Sequence, residues 1–429
     1  MIYLPQIKAL IGKAVFKTNS SEFETDFMIE YSSVKVFIIL ENLCSPFFTN
    51  QRTFLFKGKT NYGSVIKGEI DTQNINFTSK IIAEILWMQT GDFQNIDNIN
   101  KVACHLTGVY FPHTIDFMYE DLCITFEKPI FSILDAKRAN KATGSVLDGN
   151  QVIITGDKMD LTKVESTLKN ICWLLRPICS SEVFFGHYVC NDSFLIFPQK
   201  DSNFKGTMFG FYTFVLESTG FWKELLTKGL EKYAHLCQDK RQVYVNIAFA
   251  LSISGGCGNI ETGMSSLTQT LEYVGQNTFE ENSSQYDQNL NNKIKEIKNQ
   301  LLSFFESYIS TEKYDIPENI KEGIKSSIYR IQPWNPQVIR KIKSLLKFYH
   351  FNIDFNFEEF KEIRDELAHT GMFPKAISYS RRRELQSQYE IILFVIAMDI
   401  LGVHAKIEIS GEDGWVKYID AGSWKSSKV

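Results

Sequence analysis

The stretch Leu385–Leu401, LQSQYEIILFVIAMDIL, decides the fold of the C-terminal part of this chain. It contains the uninterrupted apolar run Ile391–Met398 and ends at Gly402, a residue type that commonly follows the last turn of a helix. A helix that is apolar on nearly every side must be surrounded by other elements. The sequence therefore predicts a helical bundle with Leu385–Leu401 at its buried centre.

The segments upstream of this stretch also have helical periodicity. Ile260–Val274 and Tyr286–Tyr308 each carry an apolar stripe that repeats every three or four residues, as in an amphipathic helix. The alternating run Val243–Phe249 is compatible with a strand, but its position among helices favours a helix. The glycine-rich Ser254–Gly258 indicates a loop or bend. Two shorter helices are predicted to begin at Pro317 and Pro336.

One further helix has a clear start and a clear end. Asn356, followed three residues later by Glu359, is typical of a capping box at a helix N-terminus. Gly371 and Pro374 indicate the end of this helix. Its buried stripe consists of Phe360, Ile363 and Leu367. The helix contains RDELAH from Arg364 to His369, so His369 falls in its last turn.

Arg364, Asp365 and His369 are the candidate catalytic residues. RNA is cleaved by its own 2′-hydroxyl when one group takes that proton and another stabilises the phosphorane charge. Histidine suits the proton transfer, arginine offers a bidentate contact to phosphate oxygens, and Asp365 can orient either side chain. Five residues at about 100° each put Arg364 and His369 about 140° apart on a regular helix. Both reach one phosphate if the last turn unwinds at Gly371, or if two copies of the helix form a composite site.

The spacing Arg-Asp-x-x-x-His resembles the signature of the HEPN superfamily, an arginine and a polar residue followed after a short spacer by a histidine. Ile260–Thr262 and Thr270–Tyr273 are also similar to the first bundle helix of large HEPN proteins related to ApeA, a bacterial anti-phage factor. In those proteins, too, a β-rich region precedes the helices. The specific likeness is confined to the C-terminal part of the chain.

The resemblance implies a metal-independent endoribonuclease that works as a homodimer, needs no cofactor and acts in bacterial defence against phage (abortive infection). It implies RNA as substrate, with tRNA as one candidate, and a phage-derived component as the trigger. Some members of the superfamily have lost activity. The alternative is therefore an inactive HEPN module for dimerisation and for binding RNA or nucleotides. In a third hypothesis the β-rich part carries the function and binds a carbohydrate or a viral protein.

Several charged residues have a structural interpretation as well. Arg364 can pair with a neighbouring acid on a solvated helix face, and His369 can serve only as a helix cap. Glu261 and Glu272 are interpreted as solvated helix acids and are left out of the site. Three arginines open the long helix, where positive charge opposes the helix dipole. We predict that they contact RNA, the alternative being that they form a solubilising face: Arg381, Arg382 and Arg383.

The N-terminal part of the chain contains short segments of β-branched and aromatic residues separated by turn residues. Such segments predict strands, and their spacing predicts an antiparallel sandwich or barrel. Strands are predicted at 27–31, 33–40, 53–56, 65–70, 82–87, 102–106, 117–119, 122–126 and 152–155. The fold class is α+β and multidomain. Its expected parts are a β-rich domain (1–156), a mixed connector (157–217), a HEPN-like bundle (218–404) and a tail (405–429). In the connector we expect a helix that Pro177 stops, followed by a strand pair.

Composition narrows the function classes further. The chain has 429 residues, of which 44% are hydrophobic and 14% aromatic, so it is long and apolar enough for several cores. The net charge of −4 means that any nucleic acid must bind to a local basic patch. The eight cysteines form no CxxC pair and no set with zinc-ligand spacing, so no metal site is predicted. The sequence predicts a soluble cytoplasmic protein, without a secretory signal or an apolar run that spans a membrane.

Overall fold

The computed structural model describes residues 8–17, 22–31, 36–41, 53–71, 80–91, 98–111, 113–130, 148–179, 182–198, 219–256, 259–277, 280–310, 317–329, 355–403, 406–410 and 416–420, with the single positions 339, 342, 343, 345 and 346. The N-terminal part is built of strands and the C-terminal part mainly of helices. The α+β class is therefore confirmed.

The first six strands form a closed antiparallel barrel. They are β1 (Lys8–Lys17), β2 (Glu22–Tyr31), β3 (Val36–Glu41), β4 (Thr53–Thr60), β5 (Val65–Asp71) and β6 (Lys80–Thr90). Neighbouring strands pair in the order β3-β2-β1-β4-β5-β6, and a pairing of β3 with β6 closes the ring. Alternate side chains point inwards, and Phe16, Phe27, Ile38 and Phe54 fill the interior. The sequence analysis did not predict β1.

Six further strands continue the same sheet beyond the barrel. They are β7 (Lys101–Thr107), β8 (Ile115–Tyr119), β9 (Leu122–Glu127), β10 (Gln151–Thr155), β11 (Phe184–Cys190) and β12 (Phe194–Phe197). Their order is β12-β11-β7-β10-β9-β8, and β12 pairs with β6 through Ile196 opposite Gln89. The strand pair expected in the connector is thus present and lies in the middle of this sheet. Leu195 and Phe197 of β12 pack into the core of the barrel.

Along strand β6 the inward-facing positions change from odd-numbered to even-numbered residues. A register shift against β5 leaves Leu86 without a partner in the pairing. Before this bulge Ala83 and Ile85 are buried, and after it Met88 and Thr90 are buried. The first part of β6 pairs with β3, and the part after the bulge pairs with β12. One strand therefore serves both the barrel and the remainder of the sheet.

The helix expected after the β-rich region is α1 (Leu161–Cys179). We expected Pro177 to stop it, and that prediction was wrong, because the helix continues to Cys179. A proline this close to the C-terminal end removes only one backbone hydrogen bond, and burial of the last turn offsets the loss. The side chains of Ile178 and Cys179 are buried there.

The helical region follows. Its helices are α2 (Thr219–Glu224), a π-helical segment (Leu225–Gly229), α3 (Leu230–Ala234), α4 (Gln238–Gly256), α5 (Ile260–Asn277), α6 (Glu280–Ser310), α7 (Glu318–Tyr329), α8 (Phe357–Thr370) and α9 (Tyr379–Leu401). Val243–Phe249 is helical, as expected. The loop expected at Ser254–Gly258 was wrong for Ser254–Gly256, which form the last turn of α4 because Ser254 is buried against α9. The helix expected at Pro336 begins outside the described residues.

Helix α9 lies at the centre of these helices. It packs against α1, α4 and α5, and its side chains from Ile391 to Met398 are all buried. The Ser378 hydroxyl caps its start by accepting from the Arg381 amide at 3.3 Å, and Gly402 ends it with φ 65°. The central position expected of Leu385–Leu401 is therefore confirmed.

The last described residues form a strand pair, in the segment 405–429 for which the sequence allowed either a short strand pair or a tail. Strands β13 (Lys406–Ser410) and β14 (Val416–Asp420) form a separate antiparallel sheet. In the part of the chain that the structure describes, no helix combines the length and the apolar character that a membrane crossing needs.

Candidate functional site

Helix α8 carries the three candidate catalytic residues, and local interactions fix both of its ends. The Asn356 side chain accepts hydrogen bonds from the Glu358 and Glu359 amides, each at 3.1 Å. Gly371 has φ 70°, and its N–H donates to the Leu367 carbonyl at 3.0 Å. The helix is regular as far as Thr370, so His369 lies within it.

Arg364 joins α8 to α5. Its guanidinium is ion-paired with the Glu272 carboxylate, which its Nε atom contacts directly and its Nη2 atom reaches at 3.4 Å. The Nη1 atom donates to Oδ1 of Asp365 at 2.9 Å. The Arg364 side chain is 41% exposed, whereas that of Glu272 is only 16% exposed. One edge of the guanidinium therefore faces the protein while part of the group remains open to solvent.

Glu272 is the site residue that the sequence analysis missed. Burial raises the pKa of its carboxyl, the nearby charge of Asp365 acts in the same direction, and the Arg364 guanidinium opposes both. A carboxylate in this position therefore depends on Arg364 for stabilisation. Its position between the buried Leu271 and Val274 was a signal that it lies at the edge of a packed face rather than in full solvent.

His369 points elsewhere. Its side chain is exposed, and none of the described residues forms a hydrogen bond with its ring. Because α8 is regular through this position, the separation of about 140° from Arg364 applies to the folded helix. One protomer brings together Arg364, Asp365 and Glu272, and it does not bring His369 to them.

Arg381, the first of the predicted RNA-binding arginines, bridges two acids. Its Nη2 atom lies 2.7 Å from Oε2 of Glu359 on α8, and its Nη1 atom lies 2.7 Å from Oε2 of Glu384 on the same helix. The hydrogen bonds to Glu359 and then Glu384 raise the pKa of Arg381 further above its usual range. Glu359 was expected to close a capping box at Asn356, but its side chain pairs with Arg381.

The other two arginines are also engaged within the chain. Nη1 of Arg382 lies 3.3 Å from Oε1 of Glu261 on α5, and its guanidinium lies 4.8 Å from the Phe373 ring centre. Nη1 of Arg383 donates to Gln386 Oε1 at 3.1 Å, and its Nη2 atom contacts the Tyr379 hydroxyl at 2.9 Å. Arg381 and Arg382 thus fasten the start of α9 to α8 and α5, whereas both of these partners of Arg383 lie on α9 itself. Phosphate would compete with Glu359 for Arg381 and with Glu261 for Arg382.

Behind Arg383 lies a buried polar group of three residues. The Ser254 hydroxyl donates to Oε1 of Glu390 at 2.5 Å, and Nε2 of Gln386 donates to the Ser254 hydroxyl oxygen at 2.6 Å. Burial raises the pKa of Glu390, while the hydrogen bonds from Ser254 and Gln386 oppose this shift. The group joins α4 to α9 beneath the arginines.

No protein-family model, curated protein or solved structure matched the chain in any of the three comparisons. Among the described residues, histidine, cysteine, aspartate and glutamate side chains form no group of three that could bind a metal ion. The interpretation of the site therefore depends on the residues of α5, α8 and α9 themselves.

Proposed function

We propose that this chain is a metal-independent endoribonuclease of the HEPN type, acting in bacterial anti-phage defence as a homodimer. The observation that carries the proposal is the combination on α8 of a partly exposed arginine, positioned by acids, and an exposed histidine five residues further along. Both side chains lie on a helix whose two ends are capped, so their positions are well defined.

The proposed reaction is attack of an RNA 2′-oxygen on the adjacent phosphorus. His369 takes the 2′-hydroxyl proton as the new P–O2′ bond forms, and the P–O5′ bond breaks as the 5′-oxygen takes a proton from solvent water. Arg364 donates hydrogen bonds to the phosphorane oxygens, on which negative charge accumulates. The products are a 2′,3′-cyclic phosphate and a 5′-hydroxyl, so the reaction consumes no cofactor.

The geometry of α8 supports the proposed dimer. Because Arg364 and His369 diverge by about 140°, one protomer's pair does not converge on one phosphate. Two copies of α8 related by a twofold axis would bring Arg364 of one protomer to the partner's His369. In this arrangement Asp365 and Glu272 orient Arg364 and balance its charge until RNA binds.

The N-terminal β-rich region would act as the sensor in this proposal. A phage-derived component is the expected trigger, and cellular RNA such as tRNA is the expected substrate. The second candidate function, an inactive HEPN module that dimerises and binds RNA or nucleotides, is favoured by one observation. Arg364, Arg381 and Arg382 are each already paired with a carboxylate of the same chain.

Incubation of the purified full-length protein with total RNA and with tRNA, in the presence of EDTA, tests the proposal. We expect cleavage to products with 2′,3′-cyclic phosphate ends, and we expect His369→Ala to abolish it. His235→Ala is a matched control because His235 is also an exposed histidine near the end of a helix. RNA binding without cleavage by any of these proteins would support the inactive module, and equal cleavage by the His369→Ala protein would contradict the assigned site.

A further inference from the structure

The outer surface of the barrel is divided by charge. The outward positions of β2 are mostly acidic: Glu22, Glu24, Asp26 and Glu30. Next to it, outward positions of β1, β4 and β5 carry five lysines, of which Lys17 is ion-paired with Glu22 at 2.6 Å. We call the other four the lysine face: Lys13, Lys57, Lys59 and Lys67. The barrel thus has an acidic strand and, next to it, a basic surface.

The strand registers place these lysines directly opposite one another. Lys13 of β1 pairs with Lys59 of β4, and Lys57 of β4 pairs with Lys67 of β5. Side chains in such cross-strand positions have Cβ atoms about 5 Å apart, and like charges there destabilise a sheet. The Lys13–Lys59 pair is therefore a source of repulsion that a bound anion would relieve, whereas Lys67 of the second pair has a further interaction of its own.

The approach of β1 and β4 is unusually tight at this place. A Cβ atom on Gly58 would lie 2.2 Å from the Lys13 carbonyl oxygen, and one on Gly12 would lie 2.1 Å from that of Lys59. Only glycine fits at both positions. Because both positions are glycine, β1 and β4 can approach closely next to Lys13 and Lys59.

Acids of the barrel balance this charge only in part. Lys13 lies 3.8 Å from Asp26, and both side chains are more than half exposed, so the attraction is weak. Lys57 and Lys59 form no ion pair with any described acid.

Apolar side chains border the lysines. Tyr62, in the turn between β4 and β5, is 89% exposed, and Leu55 on β4 is 52% exposed. An exposed aromatic ring beside a row of lysines is the arrangement with which proteins bind single-stranded nucleic acid, since bases stack on rings while phosphates contact the cations.

We infer that the lysine face binds the phosphate backbone of single-stranded RNA, with Tyr62 as a stacking position. RNA is favoured over an anionic membrane because the lysines curve around three strands of a closed barrel instead of lying in one plane. The inference is independent of the proposed catalysis, because it concerns binding at a surface that contains neither Arg364 nor His369. If both hold, the barrel captures the RNA that the helical region cleaves.

Fluorescence anisotropy with a labelled 2′-O-methyl oligonucleotide tests this binding, since that probe lacks the free 2′-hydroxyl needed for cleavage. For the full-length Lys57→Gln/Lys67→Gln protein we expect an affinity about tenfold weaker at low salt. The slope of log K against log salt should fall by about 1.4, or about 0.7 for each lost phosphate contact. Tyr62→Ala should weaken binding without changing this slope.

Lys223→Gln/Lys232→Gln is the matched control, because it removes the same charge from exposed helix positions. An equal loss of affinity in this control would overturn the inference, as would wild-type binding and salt slope in the barrel variant. Anionic phosphatidylserine vesicles provide a further arm of the experiment. If the barrel variant loses vesicle binding and retains RNA binding, the surface contacts membranes and the RNA assignment is wrong.

Discussion

The guanidinium of Arg364 is ion-paired with the carboxylate of Glu272, a residue that lies 92 positions earlier in the chain. The pair connects α8 to α5, two helices that also contact each other through their apolar faces. It therefore acts on the orientation of Arg364 and on the packing of the two helices together. The two effects can be separated by experiment.

A double-mutant cycle with Glu272→Gln and Arg364→Gln measures the pair directly. We expect a coupling energy of about 0.5–1 kcal/mol in urea unfolding, because the partial exposure of Arg364 screens the attraction. Arg364→Gln alone should also raise the pKa of Glu272 further, since its favourable partner is lost. Strict additivity of the two single effects would show that the pair is absent in solution.

His369→Ala should lower RNA cleavage by about 10²–10⁴, the usual contribution of a general acid or base. Stability and RNA affinity should be nearly unchanged, because the side chain is exposed. Arg364→Lys should also cleave poorly, since an ammonium group cannot reproduce the two-point contact of a guanidinium. Single-turnover rates together with thermal melting distinguish these effects from loss of the fold.

Mixing two inactive proteins tests the composite site. Arg364→Ala and His369→Ala protomers, combined and allowed to exchange, form mixed dimers in which one of the two sites keeps both residues. About a quarter of wild-type activity should return when equal amounts of the two proteins are mixed. No recovery, in samples where mass spectrometry detects the mixed dimer, would mean that each site uses residues of a single protomer.

Glu390→Gln should change how stability depends on pH. Burial raises the pKa of Glu390 above the ordinary 4.5, so the folded protein binds more protons than the unfolded chain just above that pH. The free energy of unfolding of the wild type should therefore fall as pH rises through this window. Glu390→Gln keeps an acceptor for Ser254 and does not titrate, so its stability relative to the wild type should increase as the pH rises above 4.5.

Urea unfolding at three pH values provides the measurement for Glu390. The exposed Glu366 on α8 supplies a matched control, Glu366→Gln. The control should show no such trend. A constant difference between wild type and Glu390→Gln across the pH range would rule out the expected titration.

Lys57→Glu should have opposite effects on stability and on RNA binding. It turns the Lys57–Lys67 pair into an attractive one, and we expect the free energy of unfolding to rise by about 0.5 kcal/mol. RNA affinity should decrease in the same protein. If stability falls instead, the lysine has a structural role and the like-charged pair is not a source of repulsion.

Much of the fold was predictable where local signals agree. The apolar run in α9 and the two caps of α8 predicted helices that the structure confirms, because burial and capping act within a few residues. Strand β1 was missed because Lys8 and Lys13 interrupt its apolar pattern, whereas in the barrel Lys8 lies at the exposed start of the strand and Lys13 faces outwards. The turn expected at Ser254–Gly256 failed because contacts with α9, far along the sequence, keep these residues helical.

The candidate site was predictable in part for the same reason. Arg364, Asp365 and His369 share one helix, so their spacing was visible in the sequence. The contact of Glu272 with Arg364 was not visible there, because only the packing of α5 against α8 brings the two residues together. The pairing of the lysines on the barrel likewise depends on strand register, which the spacing of apolar residues does not reveal. The catalytic and RNA-binding roles of these residues remain predictions.

Strand β6 limits how this chain can be recombined during evolution. Its first half closes the barrel and its second half holds β12, whose Leu195 and Phe197 complete the barrel core. The barrel is therefore not a separable unit that recombination after residue 90 could exchange. Deletion of Leu86 alone would remove the bulge, and with it the local bend and added twist with which β6 passes from β3 to β12. Related chains, if they preserve both cores, should preserve this single extra residue.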